Sequence, residues 1–352
     1  MKLRSKVVLY DLLRRAGLLS VVRKITASGV RILCYHGISI SDESRFEPIL
    51  FMDVATFADR IGRLQSSGLE VVSLKEVMHQ HSQGRVRPNQ AVITFDDGWH
   101  GTFAHGLPIV RDHGFPATVY VTSYYVEREE PVFNVCLRYL LWRGRDLRLE
   151  MDGLGEGLSG RVDPATASER QRISGILESA SKALPVAERM ALLAETAQRL
   201  GQDPAESVYS RRFTLMRKEE LRSLAGSDVD IQLHTHRHRF GGQSRDDSLA
   251  EISDNRRSLV PLVDHALEHF CYPGGEFQYS QKAWLSEAGI VSAATTRSGY
   301  CYRHTDALEL PRFLDDERLA PVVFEAELTG VMEIARRIRS SMYVGKSRGR
   351  RQ

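Results

Sequence analysis

Apolar positions along this chain switch repeatedly between two spacings. From Val30 onward, short apolar runs suited to buried strands precede segments whose apolar residues recur at i, i+4 and i+7, the spacing of one helix face. Residues 30–36 read as the first strand, and Phe57, Ile61 and Leu64 mark the helix that follows. A strand over 70–74 leads into a short helix through Val77 and Met78, and Ala91-Val92-Ile93 begins a strand that ends in two carboxylates. A helix near 103–113 stops at Gly114, a glycine suited to the residue after a helix end, and 117–126 reads as another strand. The rhythm resumes with a strand over 229–233, a helix over about 249–263 and a strand over 269–272. A helix through Trp284 and Leu285 then ends at Gly289, before a strand over 290–295. This repeated order predicts parallel strands joined by right-handed crossovers.

Three stretches fall outside the rhythm. Residues 127–214 hold an aromatic-rich piece (133–142), a glycine-rich piece (152–160) and two amphipathic segments. One of these carries Ile173, Ile176, Leu177 and Leu184 before Pro185; the other carries Met190, Leu193, Ala197 and Leu200 before Gly201. They read as a helical insertion on the C-terminal edge of the sheet, either shaping a substrate groove or only adding core. Residues 1–29 read as a basic amphipathic helix, with Val8, Leu12, Leu13, Leu18, Leu19 and Val22 on its apolar side and Arg14 and Arg15 close by. Such a helix packs on the main domain or lies in a membrane surface, so peripheral membrane contact enters as a candidate partner. Residues 316–352 read as a C-terminal helix and a basic tail; Arg336, Arg337, Arg339, Lys346, Arg348, Arg350 and Arg351 make it a solvated, frayed end. The main domain then spans 30–315.

Composition narrows the class. The 352 residues suffice for one large α/β domain, and 42% hydrophobic with 26% charged residues is ordinary for a globular protein. A net charge of +3 gives no argument for nucleic acid. No run of about 18 uncharged apolar residues occurs, and basic residues interrupt the N-terminal apolar segment, which does not read as a signal peptide. The four cysteines, Cys34, Cys136, Cys271 and Cys301, form no C-x-x-C pair and read as buried free thiols of a reducing compartment. The expected location is cytoplasmic, with membrane association through the N-terminal helix as the alternative to its packing on the main domain.

Two short segments carry the chemistry. Thr94-Phe95-Asp96-Asp97-Gly98 puts adjacent carboxylates where a strand gives way to a loop. His234-Thr235-His236-Arg237-His238 follows another strand and sets imidazoles at i and i+4, which one helical turn would bring to the same face. A carboxylate and two imidazoles suit a divalent transition metal that keeps a position open for water, and the second carboxylate is free to take a proton. Alone, an Asp-Asp-Gly is an ordinary turn. Together, at the strand ends of an alternating chain, the two segments lie where α/β folds gather their active sites.

On these residues the chain resembles the polysaccharide deacetylase family, the carbohydrate esterases that share the NodB homology domain. The family's T-F-D-D-G and H-[S/T]-x-x-H motifs are both matched in full, and its R-x-P-Y-G motif corresponds loosely to Cys271-Tyr272-Pro273-Gly274-Gly275. The resemblance runs from about Arg31 to about Phe313. It implies a distorted (β/α) barrel of about seven units with a helical insertion. It also implies Asp97, His234 and His238 as metal ligands, with Zn²⁺ the first expectation and Co²⁺ or Ni²⁺ suited to the same donors. Asp96 matches the general base, and Tyr35-His36 fits members whose acid histidine ends the first strand. Tyr272, Pro273 and Gly274 are expected near the oxyanion or substrate. Thr235 should support the ligands, with His236 turned away from them. Cys271 stands where the family's third motif has an arginine that orients the base; Arg297 and Arg312 are the candidates to replace it.

The function these features imply is metal-dependent removal of acetyl groups from N-acetylated sugar units of a bacterial polysaccharide or its precursor. Trp99, Tyr124, Tyr125 and Trp142 are candidates for stacking on sugar rings. The alternatives are an O-acetyl esterase or small-amide hydrolase on the same scaffold, or a carbohydrate-binding protein without catalysis.

Overall fold

The computed structural model describes residues 8, 10, 12, 13, 15–155 and 157–348, the last eight by backbone only. Arg14, Arg350 and Arg351, counted above among the basic positions, lie outside the described residues. Eight parallel strands form the main sheet: β1 (Arg31–Tyr35), β2 (Glu70–Val71), β3 (Gln90–Phe95), β4 (Ala117–Val121), β5 (Val229–Leu233), β6 (His269–Cys271), β7 (Ser292–Ala294) and β8 (Phe313–Leu314). Seven of them run in the order β7-β6-β5-β4-β3-β1-β8, while β2 pairs with the first residues of β3. The last segment closes the sheet into a distorted barrel. Leu310 bridges to Ala294 of β7, and Phe313 and Leu314 pair with Leu33 and Cys34 of β1.

The strands are shorter than their apolar runs. Residues 122–126 leave the sheet, and Tyr124–Arg128 is a helical turn. Consecutive side chains of a strand face opposite sides, which divides each run between two environments. Leu33, Tyr35, Ala91, Ile93 and Phe95 pack outward in one cluster, while Ile32, Val92, Tyr120, Cys271 and Ala294 belong to a second. The same alternation turns Cys34, Thr94 and Asp96 inward.

The helix expected near 103–113 begins as a π-helical turn, Thr102–Gly106, before Leu107–Asp112. The insertion is helical as read, with Phe133–Arg143, Ala167–Ser181 and Val186–Arg199, and its glycine-rich piece links a small antiparallel pair, Leu149–Glu150 with Arg161–Val162. At the C-terminus the expected helix is present as Val331–Arg348, and over those residues the expectation of a frayed end needs correction. Arg336 pairs there with Glu327 and Glu333, and Arg337 with Glu333, so these basic residues hold the helix down. The N-terminal segment docks on it through Tyr10 and Val22, which pack with Ala326, Val331 and Met332.

Candidate active site

The site sits at the C-terminal ends of β1, β3 and β5. Beyond β3 the backbone turns sharply: Asp97 takes the left-handed conformation at φ 71°, followed by Gly98 at φ 85°. The imidazoles do not share a helical turn, as their spacing suggested. Residues 234–238 form a loop in which Thr235 and His238 have φ of 65° and 57°. That loop is pinned from below. Asn255 accepts from the His234 N–H (3.0 Å) and donates to Val121 O (3.0 Å), and Thr235 Oγ1 accepts from the Arg239 N–H (3.2 Å).

These turns bring Asp97, His234 and His238 together. Asp97 Oδ1 lies 3.3 Å from His234 Nε2 and 3.4 Å from His238 Nε2. One donor atom from each residue lies within 4.8 Å of the other two. The donor set fits a metal: tetrahedral bonds of about 2.0–2.1 Å separate neighbouring donors by about 3.3–3.4 Å. His234 Nδ1 is 2.8 Å from Cys271 O, a contact only its N–H form can make, which leaves the Nε2 lone pair free to bind. Trp99 Nε1 donates to Asp97 Oδ2 at 2.8 Å and fixes the carboxylate. Burial alone would raise the Asp97 carboxyl, but the His234 hydrogen bond and the fields of His238 and His36 hold it below the usual carboxylate range.

Asp96 is bound differently. Arg312 grips it with two parallel hydrogen bonds, Nη1 to Oδ1 and Nη2 to Oδ2, each 2.7 Å, and neither side chain is more than 5% exposed. Burial opposes the charge on Asp96; the Arg312 guanidinium overcomes this and keeps it anionic. Cys34 and Cys271 place thiols 3.6 and 3.4 Å from Oδ2, and burial pushes both thiols up, so they act as S–H donors. His36 Nε2 is 3.9 Å from Asp96 Oδ2 on the open side, with its side chain 22% exposed.

Arg312 therefore stands where the third-motif arginine was missing, reaching the carboxylate from the closing segment, while Cys271 leaves room for it. Arg297 does not take part. It is exposed, pairs with Glu309 and lies over Phe277. Tyr272 is also misplaced in the sequence reading: it is buried and stacked on Phe277, its hydroxyl donates to Leu308 O (3.0 Å) and its N–H to Ala294 O (3.1 Å). Pro273 is buried and has no N–H to offer, while Gly274 is exposed at φ 62°. His236 turns away as expected, with Nδ1 2.9 Å from Ser123 Oγ. Trp142 packs on Phe46 and Tyr139, off the cavity. The support from Trp99, Asn255 and the two thiols was not read from the sequence, although Trp99 lies only two residues after Asp97.

Asp97 and His238 open into a cavity of about 680 Å³. Trp99, Tyr124 and Tyr125 line it, and its far wall includes Phe133, Arg138 and Lys182 of the insertion. Of the two readings of the insertion, the one that shapes the groove has this contact behind it.

The polysaccharide deacetylase family profile matches residues 83–152 and 188–293, half of the chain. The chain belongs to the polysaccharide deacetylase family. Members are hydrolases that cleave the carbon–nitrogen bond of N-acetyl sugars. No curated protein matches the sequence. Among solved structures, the deacetylase PplD of Streptococcus pyogenes, in complex with acetate, is similar at 16% identity and a TM-score of 0.53, covering 86% of this chain and 99% of its own. A de-N-acetylase from Aggregatibacter actinomycetemcomitans is similar at 12% identity and TM-score 0.54, covering 85% and 99%. IcaB from Ammonifex degensii gives 14%, 0.50, 86% and 97%. At these identities the likeness concerns the fold, which this deacetylase shares over most of its length.

Proposed function

We propose that this deacetylase is metal-dependent and removes acetyl groups from N-acetylated sugar units of a bacterial polysaccharide or its precursor. The observation that carries the reading is the convergence of Asp97, His234 and His238 beside an Asp96 held anionic by Arg312, with Asp97 and His238 opening into one cavity. A divalent metal on those three donors, Zn²⁺ by preference and Co²⁺ or Ni²⁺ by the same chemistry, supplies Lewis acidity toward water and the amide oxygen. Asp96 takes the proton of the water that adds to the acetyl carbon. His36, on the exposed side of Asp96, gives a proton to the sugar nitrogen as the C–N bond breaks, releasing acetate and an amine. The Arg312 grip supports a working enzyme over a binding protein without catalysis, because it restores the missing orienting group.

The test is acetate release from an N-acetylglucosamine tetramer together with elemental analysis. The metal-loaded wild type releases acetate, chelation stops it, and His238→Ala loses both metal and activity. Full metal content in His238→Ala, or turnover that survives chelation, would sink the assignment. Release from an O-acetylated sugar alone would move the reaction to esters.

A second reading concerns location. We propose that the N-terminal helical segment holds the protein at an anionic membrane surface on its cytoplasmic side. Tyr10 and Val22 face the fold, which leaves Val8, Leu12, Leu18, Val21 and Ile25 exposed beside Arg15, Arg23 and Lys24. Charge complementarity favours anionic lipid as the occupant, since the sequence has no acidic residue between Asp11 and Asp42 or after Glu333. The four buried free thiols agree with a reducing compartment.

A further inference from the structure

The cavity wall facing the metal-ligand cluster carries more positive charge than the fold consumes. Among the described residues, five basic side chains line it, and two of them are spoken for: Arg189 pairs with buried Glu130, and Arg237 with Glu251 and Asp254. The other three are Arg138, Lys182 and Arg239. Lys182 and Arg239 have no ion pair or side-chain hydrogen bond among the described residues. Among the described residues, Arg138 has one exposed ion pair, with Glu47 at 3.7 Å, while its Nε is buried without a hydrogen-bond partner. Against them the lining offers Glu178 and Asp97, and Asp97 belongs to the ligand set.

Three separate elements deliver these cations to one space. Arg138 comes from helix Phe133–Arg143, Lys182 follows helix Ala167–Ser181, and Arg239 directly follows the ligand His238. A neutral glycan needs no such set. The C–H face of a sugar ring stacks on aromatic rings and its hydroxyls are met by neutral polar groups, and Trp99, Tyr124 and Tyr125 already supply rings. Unpaired cations around a partly enclosed cavity raise the local concentration of anions and contribute hydrogen bonds to them that are stronger than neutral ones.

We propose that Arg138, Lys182 and Arg239 form an anion subsite, so that the preferred substrate is an acetylated sugar carrying a carboxylate or phosphate next to the residue deacetylated. The proposal rests on the deacetylase reading for the position of the acetyl group and assigns a purpose to the insertion, which contributes two of the three cations.

Three probes decide it: a neutral N-acetylglucosamine tetramer, a tetrasaccharide alternating N-acetylglucosamine with glucuronate, and an N-acetylglucosamine 1-diphosphate ester. The metal-loaded wild type is expected to process one anionic probe with a higher kcat/KM than the neutral tetramer, by at least about tenfold for each hydrogen-bonded charge. That advantage should shrink as salt rises. Lys182→Ala with Arg239→Ala, and separately Arg138→Gln, should lose it through KM while turnover of the neutral tetramer is unchanged. Which anionic probe gains separates a uronate polymer from a phosphate-linked precursor. Equal kcat/KM on all three probes, unmoved by salt or by these substitutions, overturns the proposal. Calorimetric binding of the same probes to the metal-loaded protein keeps the two readings apart. An anionic probe that binds, loses affinity in the variants and yields no acetate supports the subsite and refutes deacetylation; no preference in binding refutes the subsite whatever the activity.

Discussion

Among the described residues, three of the five non-glycine positions with positive φ, Asp97, Thr235 and His238, belong to the loops that carry the candidate metal donors. Left-handed backbone costs on the order of 1–3 kcal/mol at an ordinary residue, and Thr235 is β-branched, so the surrounding contacts must hold it there. The hydrogen bonds of Asn255 and Thr235 do so. Next to this loop the adjacent carboxylates have separate surroundings, which gives a sharp expectation. Asp96→Asn should keep full metal content and lose about 10²–10⁴-fold in turnover if its work is proton transfer. Metal loss in that variant, measured by elemental analysis, would show the two carboxylates exchanged. His36→Ala should also retain metal. It should lower turnover of the N-acetyl amide much more than that of an activated acetyl ester, whose leaving group departs without a proton. Equal losses on the two substrates would assign His36 to packing or binding.

At the scale of elements, β8 and its approach do most to complete the site. Leu310 and Phe313 pair with strands on either side, which leaves Arg312 no direction but inward. At the other end of the barrel, β5 carries Asp230, whose Oδ1 lies 3.0 Å from His265 Nε2. The Asp230 hydrogen bond raises His265 to about 9, above an ordinary histidine. Because the folded value is the higher one, the protonated pair stabilises the fold fully below about pH 6.5, and the contribution fades as pH rises through about 9. The unfolding free energy of the wild type should exceed that of His265→Gln at pH 6, and the gap should close by pH 10. A gap that is constant across this range in urea titrations would mean the pair contributes only packing.

For the whole molecule, the two ends of β1 set an orientation. His36 follows its C-terminal end beside the cavity, while helix Leu19–Thr26 precedes its N-terminal end and packs against helix Val331–Arg348. A membrane bound through the N-terminal segment would therefore lie on the side of the barrel away from the cavity, leaving the groove open to polymer. In flotation with vesicles, the full chain should rise with anionic phosphatidylserine vesicles, less at high salt, and stay down with neutral phosphatidylcholine. Val21→Glu with Ile25→Glu, both at exposed positions, should abolish flotation without changing acetate release. Flotation that survives this double substitution would place the contact elsewhere.

The sequence by itself determined the parallel α/β plan, the helical insertion and the main members of the site. These were legible because strand and helix periods are local, and because an Asp-Asp-Gly and an i, i+4 histidine pair each fit within one short segment. Tertiary structure decided what depends on contacts between distant residues. It chose Arg312 over Arg297, since the grip on Asp96 spans 216 positions and arises from barrel closure. It turned Tyr272 outward, because its place in the strand alternation sends its ring to Phe277 while Cys271 faces the carboxylate. It also replaced the expected helical turn at His234–His238 with a left-handed loop, since Asn255, Thr235 and the fixed Asp97 demand a geometry that the spacing does not specify. Local pattern selects the elements, but which side chains meet inside the barrel follows from how its ends are joined.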